Sequence, residues 1–341
     1  MWAIYSDGGL AAIGAGPVII PYLFISQRSK SFYYLFATIV IDALTSISKL
    51  NYHEARPIWV SEDVQPYGCS SQYGNPSGHN FTSWGMVITI CLDYNREARR
   101  NPNMRFSAWY WRLLACCVAF AFAAAIAYSR LFLGVHSLNQ VLFGALLGLW
   151  FAMSCHFILR DKLIQLANDL ISAQETRMKY LLYQSAGLMA AMYAVQIVNY
   201  EVVLEFQNPE SWSEMLLQKC GSKVLDEPYQ TKSLSDFGAV SMIWGAFWGL
   251  MLQQTLTPRI IDGKVPDDEP WWKMWVRALV AVGLVVPWLV ITMVLKHTKI
   301  DNAYVLLIFE TTIPTVLMGI SFYFLTDYVN KRIGLLKIEP N

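Results

Sequence analysis

Three short groups of polar residues could do chemistry in this 341-residue sequence. The first is Lys49-Leu-Asn-Tyr-His-Glu-Ala-Arg56-Pro57. If its helix runs on, Lys49 and Arg56 are two turns apart and share a face, and Pro57 ends the helix. The second, Asn75-Pro76-Ser77-Gly78-His79, reads as a helix N-terminus whose N–H groups can hold an anion. His79 sits in its first turn, able to give or take a proton. In the third, Ser129-Arg130-Leu-Phe-Leu-Gly-Val-His136-Ser-Leu-Asn-Gln140, His136 and Gln140 are spaced i, i+4. On a helix they share a face, and Gln140 can orient the imidazole.

Each group alone has an ordinary explanation: snorkelling cations at a span end, a turn with a cap, an interfacial histidine. Together, Lys49, Arg56, Arg130, His79, His136 and a helix N-terminus describe a site for a compact, multiply charged anion. Phosphate fits, because Arg supplies a planar fork of donors and Lys a point charge. Two histidines suit a two-step transfer, one as nucleophile and one as acid toward the leaving oxygen.

The elements that must position these residues follow from composition. Residues are 55% apolar and only 15% charged, with a net charge of +1. A soluble domain carries about 25% charged residues, so disorder, a coiled coil and a nucleic-acid binder are excluded in favour of an integral membrane protein. Apolar stretches near the length of a bilayer crossing fall at 9–26, 31–48, 79–94, 108–128, 136–157, 180–199, 234–254, 271–295 and 303–327. The expectation is an all-α polytopic protein of nine transmembrane helices, a single membrane domain over 1–341. With the side holding Gln27–Lys30 taken as reference, alternating spans place fifteen of the 26 Lys and Arg there and eight on the other side. The richer side is cytoplasmic by this bias, so the N-terminus is lumenal and the C-terminus cytoplasmic. Met1–Gly9 holds Asp7 and no Lys or Arg, unlike a signal peptide. All three polar groups lie on the cation-poor side, as does the segment Tyr200–Ser233, which reads as an amphipathic lid or loop. Six scattered cysteines without a CxxC pair predict neither a metal site nor a disulfide framework. Asn80-Phe-Thr82 matches the glycosylation pattern but opens a span, and is expected unmodified.

The ordered set K-x6-R-P, P-S-G-H and S-R-x5-H resembles the signature of the type 2 phosphatidic acid phosphatase superfamily, which includes the vanadium haloperoxidases. It covers residues 49–140. The superfamily usually closes H-x3-D; here Gln140 stands at that place, which resembles the glucose-6-phosphatase branch. Arg56-Pro57-Ile-Trp59, Cys69 before Pro-Ser-Gly-His, and a late loop with Trp212 and Cys220 are similar to that branch as well. The resemblance implies a phosphatase-type helical core and a set of roles. His136 attacks phosphorus and becomes phosphohistidine, and His79 protonates the leaving alkoxide. Lys49, Arg56 and Arg130 bind the phosphoryl oxygens, Ser77 and Gly78 add hydrogen bonds, and Gln140 positions His136. It implies no cofactor and no metal, and a lumenal face in the endoplasmic reticulum.

The leading expectation is therefore a metal-independent phosphomonoesterase acting on glucose 6-phosphate or a similar sugar phosphate. A second keeps the chemistry and takes a lipid phosphate from the bilayer. A third is a structural subunit with a vestigial site, its GxxxG-like stretches Gly144–Gly148 and Gly245–Gly249 meeting membrane-protein partners.

Overall fold

The structure, a computed structural model, describes residues 16–21, 27–65, 67–102, 106–172, 175–206, 208–221, 229–256, 270–296 and 302–335. Among these there is no strand. The chain is an all-α polytopic membrane protein. Among the described residues, six stretches are long and apolar enough to cross a bilayer: Arg28–Val60, Trp109–Phe132, Leu138–Ile171, Arg177–Leu204, Trp272–Leu295 and Ala303–Arg332. Of the other three expected spans, 9–26 falls largely outside the described residues. The stretch 79–94 lies in a helix with a polar C-terminal extension, and 234–254 is divided among shorter elements.

By packing, the chain forms two compact units. The first comprises residues up to Gly16, Val40–Arg160 and Asn199–Ser233. Its elements are the C-terminal half of α1 (Arg28–Tyr52), the short α2 (Pro57–Val60), α3 (Gly78–Arg100), α4 (Trp109–Phe132) and α5 (Leu138–Ser154). A single π-helical turn, Cys155–Leu159, carries α5 into α6 (Arg160–Ser172). α5 lies hard against α3. A Cβ at Gly148 would stand 2.7 Å from Gly85 N and 2.8 Å from Phe81 O, and one at Gly144 would stand 2.6 Å from Ser77 O. Only glycine lets two backbones approach so closely. At the far end Arg160 ties the same pair together, 2.5 Å from Asp93 and 2.9 Å from Glu97. Asp93 and Arg160 are both buried, and a buried charge needs such a partner.

Two local expectations are corrected here. α1 does not continue to Arg56; it stops at Tyr52, and His53 takes a left-handed φ of 31°. Arg56 is extended (φ −84°, ψ 154°), as a residue before proline prefers. Pro57 therefore opens α2 at its first turn instead of ending α1. The expected absence of a disulfide framework is also overturned: Cys69 and Cys220 are bonded. The pair is 151 residues apart in sequence, so scattered spacing concealed it. The bond anchors α8 (Glu210–Cys220), which follows α7 (Glu175–Leu204), to the loop after α2. Lys219 Nζ donates to the carbonyls of Ser61 and Val64 in that loop, and Trp212 packs on Trp59 at 5.9 Å between ring centroids.

The second unit holds Pro17–Ile39, Asp161–Val198 and Leu234–Asn341. It includes the C-terminal end of α9 (Tyr229–Phe237), α10 (Ser241–Leu256), α11 (Trp271–Lys296) and a last helix running from α12 (Ala303–Val305) through α13 (Ile313–Ile320) to α14 (Thr326–Arg332), with π-helical turns between. Arg28 and Asp327 form a buried ion pair at 2.7 Å, and Ser31 is bonded to Tyr323 at 2.8 Å. Gly245 meets the backbone of Val316, where a Cβ would stand 2.1 Å from its carbonyl oxygen. Both GxxxG-like stretches are thus used for contacts inside the chain, which removes the feature that suggested a structural subunit.

Candidate active site

Four helix ends in the first unit gather at one place: the C-terminal ends of α1 and α4 and the N-terminal ends of α3 and α5. Lys49 comes from the last turn of α1 and Arg130 from the last turn of α4. Ser77 is the N-cap of α3, and Gly78 and His79 occupy its first turn. A Cβ on Gly78 would lie 3.0 Å from Thr45 Cγ2 and 4.0 Å from Lys49 Nζ, so the ammonium stands beside the α3 N-terminus. There the first N–H groups of the helix lack intrahelical partners.

His136 is buried. It precedes α5 and does not lie on it, so the expected shared helix face with Gln140 is replaced by another contact. Ser137 caps α5 and Gln140 is its third residue, forming a capping box. Gln140 Oε1 accepts from the Ser137 N–H at 3.2 Å and lies 3.3 Å from His136 Nδ1. The nearer acceptor for Nδ1–H is the Gly74 carbonyl at 2.9 Å. With its proton held on Nδ1, the imidazole presents the Nε2 lone pair, and Arg56 Nη1 lies 3.1 Å from it. Arg56 is itself fixed by the carbonyls of Gln72 at 2.5 Å and Val135 at 2.9 Å. Lys49 Nζ donates to Gln72 Oε1, whose amide nitrogen donates in turn to Ser233 Oγ at 3.3 Å.

Burial holds the His136 imidazole well below the ordinary histidine pKa, and the positive charges of Arg56, Lys49, Arg130 and His79 push it the same way. The other four basic side chains singled out from the sequence, Lys49, Arg56, Arg130 and His79, therefore lie near enough to act on His136. Ser77 is fully buried; its N–H donates to the Gln140 carbonyl at 3.0 Å, and its Oγ accepts from Asn80 Nδ2 at 3.0 Å. That leaves the Ser77 hydroxyl proton, not its amide, for an anion. Asn80 is 0% exposed, unsuited to carry a glycan.

Sequence reasoning missed three participants: Gln72, the Gly74 carbonyl and Glu54. Glu54 accepts from the side chains of Gln140, Asn139 and Asn75. Its signal was present, a carboxylate between Lys49 and Arg56 at a span end. No cluster of three His, Cys, Asp or Glu suited to a metal occurs among the described residues.

Residues 30–163 match the PAP2 superfamily. The PAP2 segment holds all three motifs and the Arg160 ion pair. Over 78 residues the chain is 31% identical to human dolichyldiphosphatase 1, an alignment covering 23% of this chain and 33% of that protein. The chain thus spans about a third of the length of the curated relative it matches. No solved structure matches the chain at the same stringency.

Proposed function

We propose that the PAP2 segment makes this protein a metal-independent phosphoric monoester hydrolase working at the lumenal membrane face of the endoplasmic reticulum. One observation carries the reading: His136 Nδ1 lies 2.9 Å from the Gly74 carbonyl, which can only accept and so favours the proton there, while Nε2 faces Arg56 among cations. A neutral imidazole so aimed is a nucleophile facing a phosphate site. Nε2 forms a bond to phosphorus as the bond to the leaving oxygen breaks, and His79 supplies that oxygen with a proton. Lys49, Arg56 and Arg130 balance the charge that builds on the phosphoryl oxygens. Water, deprotonated by His79, then attacks phosphorus, and the N–P bond electrons return to Nε2. Ser77 and the Gly78 N–H add hydrogen bonds to the phosphoryl group.

We take the substrate to be a sugar phosphate such as glucose 6-phosphate. Support comes from Gln140 at the end of the third motif and from the polar segment fastened beside the site: Tyr73 hydroxyl with Asn208 at 3.1 Å, Gln72 with Ser233, and the bonded Cys69 and Cys220. The likeness to human dolichyldiphosphatase 1 favours a second reading, a lipid-linked phosphate. Purified protein in EDTA, offered glucose 6-phosphate, phosphatidate, sphingosine 1-phosphate and dolichyl diphosphate, is expected to release phosphate fastest from the first. His136→Ala is expected to be inactive. Preference for a lipid arm would replace the sugar reading, and no release from any arm would remove the hydrolase.

A further inference from the structure

Two acceptors meet the Nδ1–H of His136, the Gly74 carbonyl and Gln140 Oε1. Neither is fixed by its own chemistry. A carboxamide can turn over and exchange oxygen for nitrogen, and a backbone carbonyl moves with its loop. Both are tied to one residue. Glu54 Oε1 accepts from Gln140 Nε2 and from Asn139 Nδ2, each at 3.1 Å. Its Oε2 accepts from Asn75 Nδ2 at 2.7 Å, and its own backbone carbonyl accepts from the Gly74 N–H at 2.8 Å. With Glu54 and the Ala55 carbonyl (2.8 Å) on its nitrogen side and the Ser137 N–H on its oxygen side, the Gln140 amide has one satisfied orientation. It is also wedged against the chain, since a Cβ on Gly74 would lie 2.6 Å from Gln140 Nε2.

We propose that Glu54 is a positioning residue for His136. Its carboxylate holds Gln140 and the Asn75 loop so that the imidazole proton stays on Nδ1 and Nε2 stays aimed at the phosphate-binding cations. It acts through other groups and touches no reacting atom. The proposal rests on the hydrolytic reading above. Turning the amide over would set an N–H against Nδ1, favour the proton on Nε2 and block the attacking lone pair. A carboxylate also polarises the amide it binds, strengthening Oε1 as an acceptor while Nε2 gives up electron density to phosphorus.

The test compares full-length wild type with Glu54→Gln, nearly equal in size. kcat is expected to fall about 10–100-fold, the range found when the partner orienting a metal-bound histidine is lost. KM should stay within about twofold, because Lys49, Arg56 and Arg130 are untouched. Orthovanadate, which bonds to an imidazole nitrogen, should bind about tenfold more weakly, whereas inhibition by inorganic phosphate, held by charge, should be unaltered. A merely structural role would lower the active fraction and move neither constant. If Glu54→Gln is lost in detergent, Glu54→Asp, too short to reach both Gln140 and Asn75, should show a smaller fall in kcat at unchanged KM. An active wild type whose Glu54 variants retain kcat and vanadate affinity overturns this proposal and leaves the hydrolase standing. A wild type that neither releases phosphate nor binds vanadate removes both.

Discussion

Lys49 has two effects that pull on pH in a definable way. It stands beside the α3 N-terminus, where the proposed reaction would place the phosphate, and its charge helps keep His136 unprotonated. Burial is the larger cause of the low His136 pKa, with Arg56 next and Lys49 after it. A lowered pKa leaves the imidazole neutral, hence nucleophilic, down to pH values below the ordinary histidine range. The acid limb of kcat/KM should therefore lie below about 6.5. Lys49→Met removes one charge that opposes the imidazolium, so the His136 pKa rises and the acid limb moves to higher pH. Loss of a hydrogen bond from a charged group, about 1.5–3 kcal/mol, should lower kcat/KM roughly 10–100-fold at the optimum. A pH profile with an unmoved limb would mean that Lys49 is remote from the histidine in solution. Residue types and spacing made these basic side chains legible in the sequence. What Glu54 and Gln72 hold was not, since their partners lie far along the chain: Gln140 is 86 residues from Glu54, and Ser233 is 161 from Gln72. Polar contacts at such separations leave no periodicity to read.

Helix ends, not helix faces, build the site, so the elements matter through their termini. Apolar runs foretold α1, α4 and α11 closely, because length and hydropathy decide those. They understated α3, which runs on past residue 94 to Arg100 because Asp93 and Glu97 find Arg160. They also missed the break after Tyr52, which turns His53–Arg56 out of the helix and brings Glu54 to Gln140. The α3–α5 seam should be intolerant of bulk. Gly148→Val meets the backbone of Phe81 and Gly85, which cannot swing aside as a side chain can. It should cost about 1–3 kcal/mol, read as a lower thermal midpoint in detergent, with activity falling too as the His79 end of α3 shifts. A midpoint equal to wild type would place the seam elsewhere. The disulfide fastens the α8 side to the loop that carries Gln72 and Tyr73. Cys220→Ser should destabilise by about 2–5 kcal/mol, and reductant should lower the wild-type midpoint while leaving the variant's unchanged. Equal sensitivity to reductant in both proteins would show the bond to be dispensable.

For the molecule as a whole, two physically separate signals point the same way across the membrane. On the alternating nine-span topology expected from the sequence, Lys and Arg crowd the side that holds Gln27–Lys30, the bias expected of a cytoplasmic face. That topology puts the bonded Cys69 and Cys220 on the opposite side with the proposed site, and disulfides persist where the surroundings are oxidising, as in a secretory lumen. Charge distribution reflects insertion, whereas thiol oxidation reflects the compartment after insertion, so neither signal entails the other. A reporter glycosylation site placed at Glu210 should accordingly be modified in microsomes, and one at Asn101, between α3 and α4, should not. A membrane-impermeant thiol reagent applied to intact microsomes should leave Cys220 unlabelled, even after reduction by a reductant that crosses the bilayer. The opposite pattern would place the phosphate site in the cytosol, and the substrates to test would then be those of that compartment.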